Sequence, residues 1–216
     1  MIVQGLHQKR LRKGFENNIE KAHYVDNAEN RKNMNDKQFA KDTRYLRMAR
    51  IWSENSYAIR LKVGCLIVSK DGNIISDGYN GTPRGFENVC ETTVDGEDFT
   101  DAYTDEGARM TLMEHVVNGE KIVSKPYVLH AEANAISKLA RSTQSSEGAT
   151  LYCTDMPCVE CSKLIIQAGI KRVVYERPYR KADGLQLLHR AGIETHFIST
   201  QAIDVVEKRG WHTKEI

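Results

Sequence analysis

Two short segments of the chain contain side chains of the types that bind transition metals. One is HAE at residues 130–132, and the other is PCVEC at residues 157–161. Each stands at the predicted start of a helix that follows a turn or a strand, and a proline suits the first turn of such a helix. The two cysteines are three residues apart, so they project from one helix face. A helix N-terminus stabilises thiolates, the form of cysteine that binds metals.

One imidazole nitrogen and two thiolates form a ligand set suited to Zn²⁺, so the pattern predicts that His130, Cys158 and Cys161 bind zinc. A structural zinc site would need a fourth protein ligand, and none stands at zinc-finger spacing. Three protein ligands leave one coordination position for water, which is typical of catalytic zinc. Glu132 follows the histidine by two residues and is the predicted general acid/base, because it can move protons without occupying the metal.

The other three cysteines have a different interpretation. Cys65 and Cys153 lie in short apolar runs and are expected to fill the core. Cys90 could join His115 in a second zinc site, but no ligand pair stands at metal-binding spacing there, so a single site is favoured. Five cysteines are too few for a disulfide scaffold in a chain of 216 residues, and they indicate a reducing, cytoplasmic setting.

Predicted helices and strands position these segments. Asn35 and Gln38 form a capping box that starts a helix, expected to run to about Tyr57. The apolar runs at 63–68 and 74–79, separated by the turn residues KDGN, predict a β-hairpin. After residue 126, predicted helices at 131–141, 158–168 and 184–190 alternate with strands at 149–154, 171–175 and 193–197. This alternation with short connections predicts an α/β layered sheet whose last strands are parallel.

The chain divides into a main domain and flanking segments. Residues 1–33 carry seven basic and four acidic side chains without a helical or strand period, so we expect a basic, poorly ordered leader. The main domain is expected over residues 34–200 and the C-terminal tail over 201–216. Within the domain, an acidic insertion at about 91–126 is expected to expose its carboxylates, including Glu91, to solvent. Outside the leader, 24 basic and 25 acidic residues nearly balance.

The motifs resemble those of the deoxycytidylate (dCMP) deaminases, within the cytidine deaminase-like superfamily, over about residues 36–198. The likeness rests on VGCLIV (63–68), GYNGTPRGFENVCE (78–91), HAEANAI (130–136) and the run from GATLYC to KADG (148–184). HxE with PCxxC marks zinc nucleobase deaminases in general. GYNG-x-P together with HAExNAI is similar to the nucleotide branch of the superfamily.

This resemblance implies a three-layer α-β-α fold, in which a mixed five-stranded sheet carries helices on both faces. It implies zinc-dependent hydrolytic deamination of dCMP to dUMP and ammonia, which supplies dUMP for thymidylate synthesis. One zinc ion per subunit would be held by the histidine and the two cysteines, with Glu132 as the general acid/base. The resemblance also implies a homohexamer or another homo-oligomer, activated by dCTP and inhibited by dTTP, with Mg²⁺ accompanying an allosteric triphosphate.

Further residues are predicted to bind the substrate or an effector. By resemblance, Asn80 contacts the sugar and Tyr179 lies near the substrate. The alternative for Asn80, which is compatible with a sugar contact, is that it holds a turn with Gly81. A monophosphate needs a cation, and Arg60, just before the first strand, is the candidate; a solvated surface arginine is the alternative. The candidates for an allosteric nucleotide site are Gly78, Tyr79 and Arg84.

Two other functions stay open at this point. The first is another deaminase of the superfamily, acting on tRNA adenosine or on a free cytosine nucleoside. An RNA-editing enzyme should carry a basic groove, whereas this domain is near neutral, so we expect no nucleic-acid partner. The second is a non-catalytic, zinc-stabilised DNA-uptake or interaction protein, which the presence of Glu132 disfavours. No apolar run of about 18 residues exists, so no membrane partner is expected either.

Overall fold

Helices and strands make up most of the chain that the structure describes. This computed structural model describes residues 36–93, 115–117, 120–178 and 182–208. Its helices are α1 (Asp36–Ser53), α2 (Ala131–Leu139), α3 (Val159–Gln167), α4 (Asp183–Arg190) and α5 (Thr200–Lys208). Its strands are β1 (Gly64–Val68), β2 (Ile74–Tyr79), β3 (Glu91–Thr93), β4 (His115–Val117), β5 (Glu120–Ser124), β6 (Thr150–Asp155), β7 (Arg172–Arg177) and β8 (Glu194–Phe197).

A five-stranded sheet with the order β2-β1-β6-β7-β8 forms the centre of the fold. Strand β1 runs antiparallel to both β2 and β6, while β6, β7 and β8 are parallel to one another. All five residues of β1 are buried, as are the four central residues of β6 and of β7. Strands covered on both faces are near-continuous apolar runs, which is why these segments could be predicted from sequence. The predicted mixed sheet and its parallel end are confirmed.

Helices cover both faces of this sheet because successive side chains of a strand point to opposite sides. Cys65 and Ile67 of β1 pack in one apolar cluster with side chains of α2, α3 and α4. Leu66 and Val68 of the same strand pack in a second cluster with α1 and α5. The result is the predicted three-layer α-β-α arrangement.

Helix α1 is shorter than the sequence pattern predicted. It ends at Ser53, not near Tyr57. Turn-type hydrogen bonds follow, with the amides of Glu54 and Asn55 donating to carbonyls three residues earlier. The Ser53 hydroxyl also donates to the Arg50 carbonyl, and such local side-chain bonds compete with helix continuation. Residues 54–63 therefore form a loop that leads into β1.

The region expected to be an irregular, solvated insertion contains a second sheet. Its strands have the order β3-β5-β4, and both neighbouring pairs are antiparallel. Glu91 is buried, contrary to the expectation that its carboxylate faces solvent. Its Oε1 atom accepts hydrogen bonds from the backbone amides of Ile59 and Arg60, which compensates for the lost hydration. Residues 94–114, with most of the acidic side chains, lie outside the described residues.

Most of a helix, α5, lies within the predicted C-terminal tail. The Ser199 hydroxyl accepts a hydrogen bond from the Ala202 amide, which caps the start of α5. Ile203 is fully buried in the same cluster as α1. The predicted leader, residues 1–33, lies outside the described residues. Among the described helices, none is long and apolar enough to cross a membrane.

Candidate active site

The starts of α2 and α3 lie side by side and bring three metal-binding side chains together. His130 is the N-cap residue of α2 and Cys158 is the N-cap residue of α3, while Cys161 lies one turn into α3. The Nδ1 atom of His130 is 3.5 Å from Cys158 Sγ and 3.4 Å from Cys161 Sγ. All three ligand atoms lie within 4.8 Å of one another. The sequence pattern thus anticipated a real spatial cluster.

This donor set fits Zn²⁺. Zinc bonds of about 2.3 Å to sulfur and 2.0–2.1 Å to nitrogen, arranged as a tetrahedron, place sulfur and nitrogen about 3.5 Å apart. The two separations between His130 Nδ1 and the sulfurs, 3.5 and 3.4 Å, match that value. No fourth histidine, cysteine or carboxylate joins the group in the part of the chain that the structure describes. Three protein ligands with one open position are typical of catalytic zinc.

Electrostatics within the metal-free cluster favour one thiolate, Cys158, and keep protons on His130 and Cys161. A hydrogen bond from the Cys161 thiol lowers the pKa of Cys158 well below its ordinary value, and the same bond raises the pKa of Cys161. The hydrogen bond to Cys158 raises the pKa of His130 to about 9 against the opposing effect of burial. An anionic sulfur is therefore already stabilised before a cation arrives, and binding of a metal would displace the remaining protons.

Glu132 is buried beside this cluster, with 4% of its surface exposed. It is the second residue of α2, so the helix that carries the histidine also places the carboxylate. Burial raises the pKa of Glu132 to about 7, and the charge of His130 opposes that shift. No lysine or arginine among the described residues forms an ion pair with it. A carboxyl group of this kind can both accept and donate a proton near neutral pH.

Two glycines allow backbones to approach closely around the cluster. A Cβ atom at Gly78 would lie 2.1 Å from the Ala131 carbonyl oxygen, because β2 packs directly against the start of α2. A Cβ atom at Gly184 would lie 2.2 Å from the Pro157 carbonyl oxygen, where α4 packs against the segment before α3. Gly78 was predicted as an allosteric residue, and the structure gives it this packing role beneath α2.

Asn80, predicted to contact the sugar, uses its amide to hold the loop before β1. Its Oδ1 accepts a hydrogen bond from the Val63 amide, and its Nδ2 donates one to the Leu61 carbonyl, each 2.8 Å long. One Nδ2 hydrogen and one Oδ1 lone pair remain beyond these two bonds. The sugar contact therefore stays a prediction, and the loop-holding role is an addition that sequence reasoning missed.

Asn134 is a second residue that sequence reasoning missed. Its Nδ2 atom donates to the Tyr79 carbonyl at 2.9 Å, which ties α2 to the end of β2. Next to this bond, Gly81 and Leu129 exchange two backbone hydrogen bonds. The GYNG and HAEANAI motifs therefore meet in space. An asparagine inside a helix is unfavourable unless its side chain has a partner, and that signal could have identified it.

Of four other predicted residues, the structure describes three. Arg60 is half-buried, and its Nη1 donates to Ser124 Oγ at 3.2 Å. The Tyr79 ring lies beneath the Lys138 ammonium group, 5.8 Å from its centroid. Arg84 is exposed in the loop after β2. Tyr179 lies outside the described residues.

The second zinc site, considered for Cys90 and His115, has no support from the described residues. Cys90 is buried, and burial raises the pKa of its thiol, which disfavours the metal-binding thiolate. The His115 side chain lies outside the part of the chain whose side chains are described, so the pair is not tested and the single site stays the prediction.

Comparisons with known proteins agree on one family. The cytidine and deoxycytidylate deaminase zinc-binding region matches residues 39–177. The deoxycytidylate deaminase of Enterobacteria phage T4 is 34% identical over 175 residues, which cover 69% of this chain and 85% of the phage protein. Human deoxycytidylate deaminase is 33% identical over 132 residues, covering 61% of each chain.

A solved structure shows the same fold. The dCMP deaminase of cyanophage S-TIM5, in complex with dCMP and dUMP, superimposes with a TM-score of 0.58 and 34% identity. The match covers 76% of this chain and 99% of the cyanophage chain. The span matched by the family includes both helix starts and the GYNG segment.

Proposed function

The chain belongs to the cytidine and deoxycytidylate deaminase family, and on this basis we propose that it hydrolyses dCMP to dUMP and ammonia. The resemblance drawn from the motifs is confirmed. The observation that carries the proposal is the buried Glu132 carboxylate beside the cluster of His130, Cys158 and Cys161. A purely structural zinc site would not need that carboxylate. The complex of the cyanophage relative with dCMP and dUMP supports this substrate and this product.

His130, Cys158 and Cys161 would hold Zn²⁺, which when bound supplies the Lewis acidity that makes water a nucleophile near neutral pH. The open side of the three-ligand group is where the pyrimidine C4 atom must lie. Because His130 and Cys158 are the N-cap residues of their helices, the helix dipoles also stabilise negative charge at this place.

Glu132 performs the proton transfers. Its carboxylate accepts a proton from the attacking water and delivers it to N3 of the cytosine ring. It then takes the second proton of the water-derived oxygen and passes it to the departing amine. One water is consumed, the C4–N bond breaks, and ammonia leaves. Burial excludes bulk water from the carboxyl group, so these protons move between the reacting groups and are not lost to solvent.

Arg60, Asn80 and Tyr179 are proposed to hold the nucleotide. A guanidinium group is suited to a phosphate because it presents several donors in a planar fork. The Asn80 amide keeps one donor and one acceptor for a sugar hydroxyl while it holds the loop that carries Arg60. In sequence, Tyr179 comes two residues after Arg177, the last residue of β7, and ligands bind at the carboxyl ends of strands in sheets of this kind.

Assembly and regulation are proposed from the resemblance and from exposed apolar residues. Large apolar side chains are exposed along the C-terminal half of α1 and the loop that follows, namely Met48, Ile51, Trp52, Tyr57, Ile59 and Leu61. Such a patch fits burial between subunits of a homohexamer or another homo-oligomer. Activation by dCTP and inhibition by dTTP, with Mg²⁺ on the triphosphate, would involve Tyr79 and Arg84. The free state of all five cysteines supports a cytoplasmic setting.

One assay tests the proposed function. Purified protein is incubated with dCMP, CMP or deoxycytidine, with and without dCTP or dTTP and Mg²⁺, and ammonia release is followed. We expect dCMP to be the preferred substrate. Preference for deoxycytidine or CMP would contradict the assignment to the nucleotide branch. Absence of activity on all three compounds would contradict the proposed reaction.

A further inference from the structure

The loop that carries Arg60 is held by side chains from distant parts of the chain. Residues 54–63 connect α1 to β1 without regular secondary structure. The Asn80 amide holds the end of this loop, and Arg177 Nη2 donates to the Lys62 carbonyl at 3.3 Å. The segment around Arg60 itself is held by the small sheet β3-β5-β4. An irregular loop fixed at this many points presents its side chains in a defined place.

The Glu91 side chain holds two consecutive backbone amides, those of Ile59 and Arg60. Its Oε1 accepts hydrogen bonds from the Ile59 amide at 3.1 Å and from the Arg60 amide at 3.2 Å. The carboxylate is buried, so its hydration has been replaced by these donors. Two consecutive amides that converge on one anion fix the backbone angles of both residues.

Ser124 holds the guanidinium end of the Arg60 side chain. Its hydroxyl oxygen accepts a hydrogen bond from Arg60 Nη1 at 3.2 Å. Ser124 is the direct cross-strand partner of Glu91 in the pairing of β3 with β5. One rung of the small sheet, Glu91 with Ser124, therefore fixes both the main chain and the guanidinium group of Arg60.

We propose that the Glu91–Ser124 rung is a positioning element that orients Arg60 for the 5′-phosphate of the substrate. This inference rests on the proposed function, in which Arg60 binds that phosphate. An arginine side chain in solution samples many rotamers, and ordering it on binding reduces affinity. The rung orders it beforehand, and the Ser124 hydroxyl engages one nitrogen of the fork. The described part of the insertion thereby contributes to substrate affinity although none of its residues belongs to the cluster of metal-binding side chains.

A double-mutant cycle with steady-state kinetics on dCMP tests this proposal. Ser124→Ala in the otherwise unchanged protein should raise KM about fivefold and leave kcat within about twofold, because one hydrogen bond to a charged group is lost. In an Arg60→Ala background, Ser124→Ala should have no further effect on KM, because the serine acts through the arginine. Glu91→Gln should also raise KM, since a neutral amide is a weaker acceptor for the two backbone donors.

Thr93→Ala is the matched control, because Thr93 is on the same strand and its cross-strand partner is Ile122. It should leave KM and kcat unchanged. Equal KM values for Ser124→Ala and the unchanged protein would overturn the proposal, and so would additive effects in the Arg60→Ala background or an unchanged KM in Arg60→Ala alone. A role in folding only would lower the melting temperature and the active fraction without a change in KM. An unchanged protein that does not deaminate dCMP would instead overturn the proposed function.

Discussion

The two faces of the central sheet differ in whether their buried carboxylates are paired with arginine. On the face covered by α1 and α5, the carboxylates of Asp42 and Glu176 are almost completely buried, and each has an arginine partner. On the face covered by α2, α3 and α4, Glu132 is equally buried but forms no ion pair with any lysine or arginine that the structure describes. Burial raises the pKa of Glu132 to about 7.

Pairing therefore distinguishes the carboxylates that stabilise the fold from the carboxylate that takes part in the reaction. A buried carboxylate that is paired and hydrogen-bonded connects the elements that supply its partners. A buried carboxylate without a cation exchanges its proton near neutral pH, which is what proton transfer requires. Changes on the α2 face should therefore affect the reaction, and changes on the α1 face should affect the free energy of unfolding.

Loss of a metal ligand should have the largest effect. Cys161→Ser replaces a thiolate by a hydroxyl, which is a poor ligand for Zn²⁺, so bound zinc and dCMP deamination should both fall close to zero. Changes to residues that merely support a metal ligand reduce affinity by about 10- to 100-fold, and this change should exceed that range. Zinc content per chain, measured by atomic absorption, checks the first expectation.

Cys90→Ala is the matched control for this change, because Cys90 is buried but lies outside the cluster. It should keep one zinc per chain. A fall from two zinc ions to one would show that Cys90 belongs to a second site. Full zinc content in Cys161→Ser would contradict the ligand assignment.

Glu132→Gln should separate catalysis from metal binding on the same face. The amide has nearly the shape of the carboxylate but cannot take a proton from water, so turnover should fall by about 10³-fold or more. Zinc content should not change, because the residue is not in the ligand group. The melting temperature should not fall, since no ion pair is lost. Retained turnover would remove the general acid/base role from Glu132 and with it the contrast between the faces.

The reacting cluster could be predicted because its information is local. The HAE and PCVEC segments each place their side chains at a helix start, and the short strand and helix patterns then imply that the starts are neighbours. Glu91 could not be predicted in the same way, since its partners are the amides of Ile59 and Arg60, about 30 residues earlier in the chain. Nothing near Glu91 in sequence distinguishes it from the acidic residues that follow it.

The ion pairs on the α1 face could not be predicted from sequence either, because their partners are also distant in the chain. Asp42 lies between Lys41 and Arg44 on an amphipathic helix, where an acidic residue looks like part of a solvated surface. Its partner Arg172 is 130 residues away in sequence. Register between strands and the rotation of a helix on a sheet decide such pairs, and the hydrophobic pattern determines both only to within a residue or two.

Asp42→Ala should produce the largest loss of stability on the α1 face. The Asp42 carboxylate accepts two bonds from Arg172, at 2.9 and 2.6 Å, and one from the Tyr152 hydroxyl at 2.7 Å. Removing it leaves a mostly buried guanidinium without its close counter-ion, which should lower the free energy of unfolding by about 3–5 kcal/mol. Urea denaturation measures this, and kcat per bound zinc should stay unchanged.

Glu194→Gln is the control for Asp42→Ala, because it removes the charge of a weaker contact to the same arginine and keeps an oxygen acceptor for the imidazole of His196. Glu194 Oε1 is 3.9 Å from Arg172 Nε, and the Glu194 side chain is 62% exposed. Solvent screening should limit its effect to less than about 1 kcal/mol. Similar losses in the two variants would show that burial does not decide the strength of these pairs.

Asp204→Asn should have the smallest effect and gives the strictest test of independence between the faces. Arg50 donates to Asp204 Oδ1 at 2.8 Å and to Glu176 Oε2 at 2.7 Å, which joins α1, α5 and β7. The Asp204 side chain is 45% exposed, so its loss should lower the free energy of unfolding by less than about 1 kcal/mol, and less at high salt. Buried Ile203 and the hydrogen bond from the Thr200 hydroxyl to Glu176 should keep α5 in place. Thermal unfolding at low and high salt measures the effect, and kcat on dCMP should equal that of the unchanged protein. A reduced kcat with zinc fully bound would mean that α5 acts on the site through the sheet, and the two faces could no longer be treated as separate.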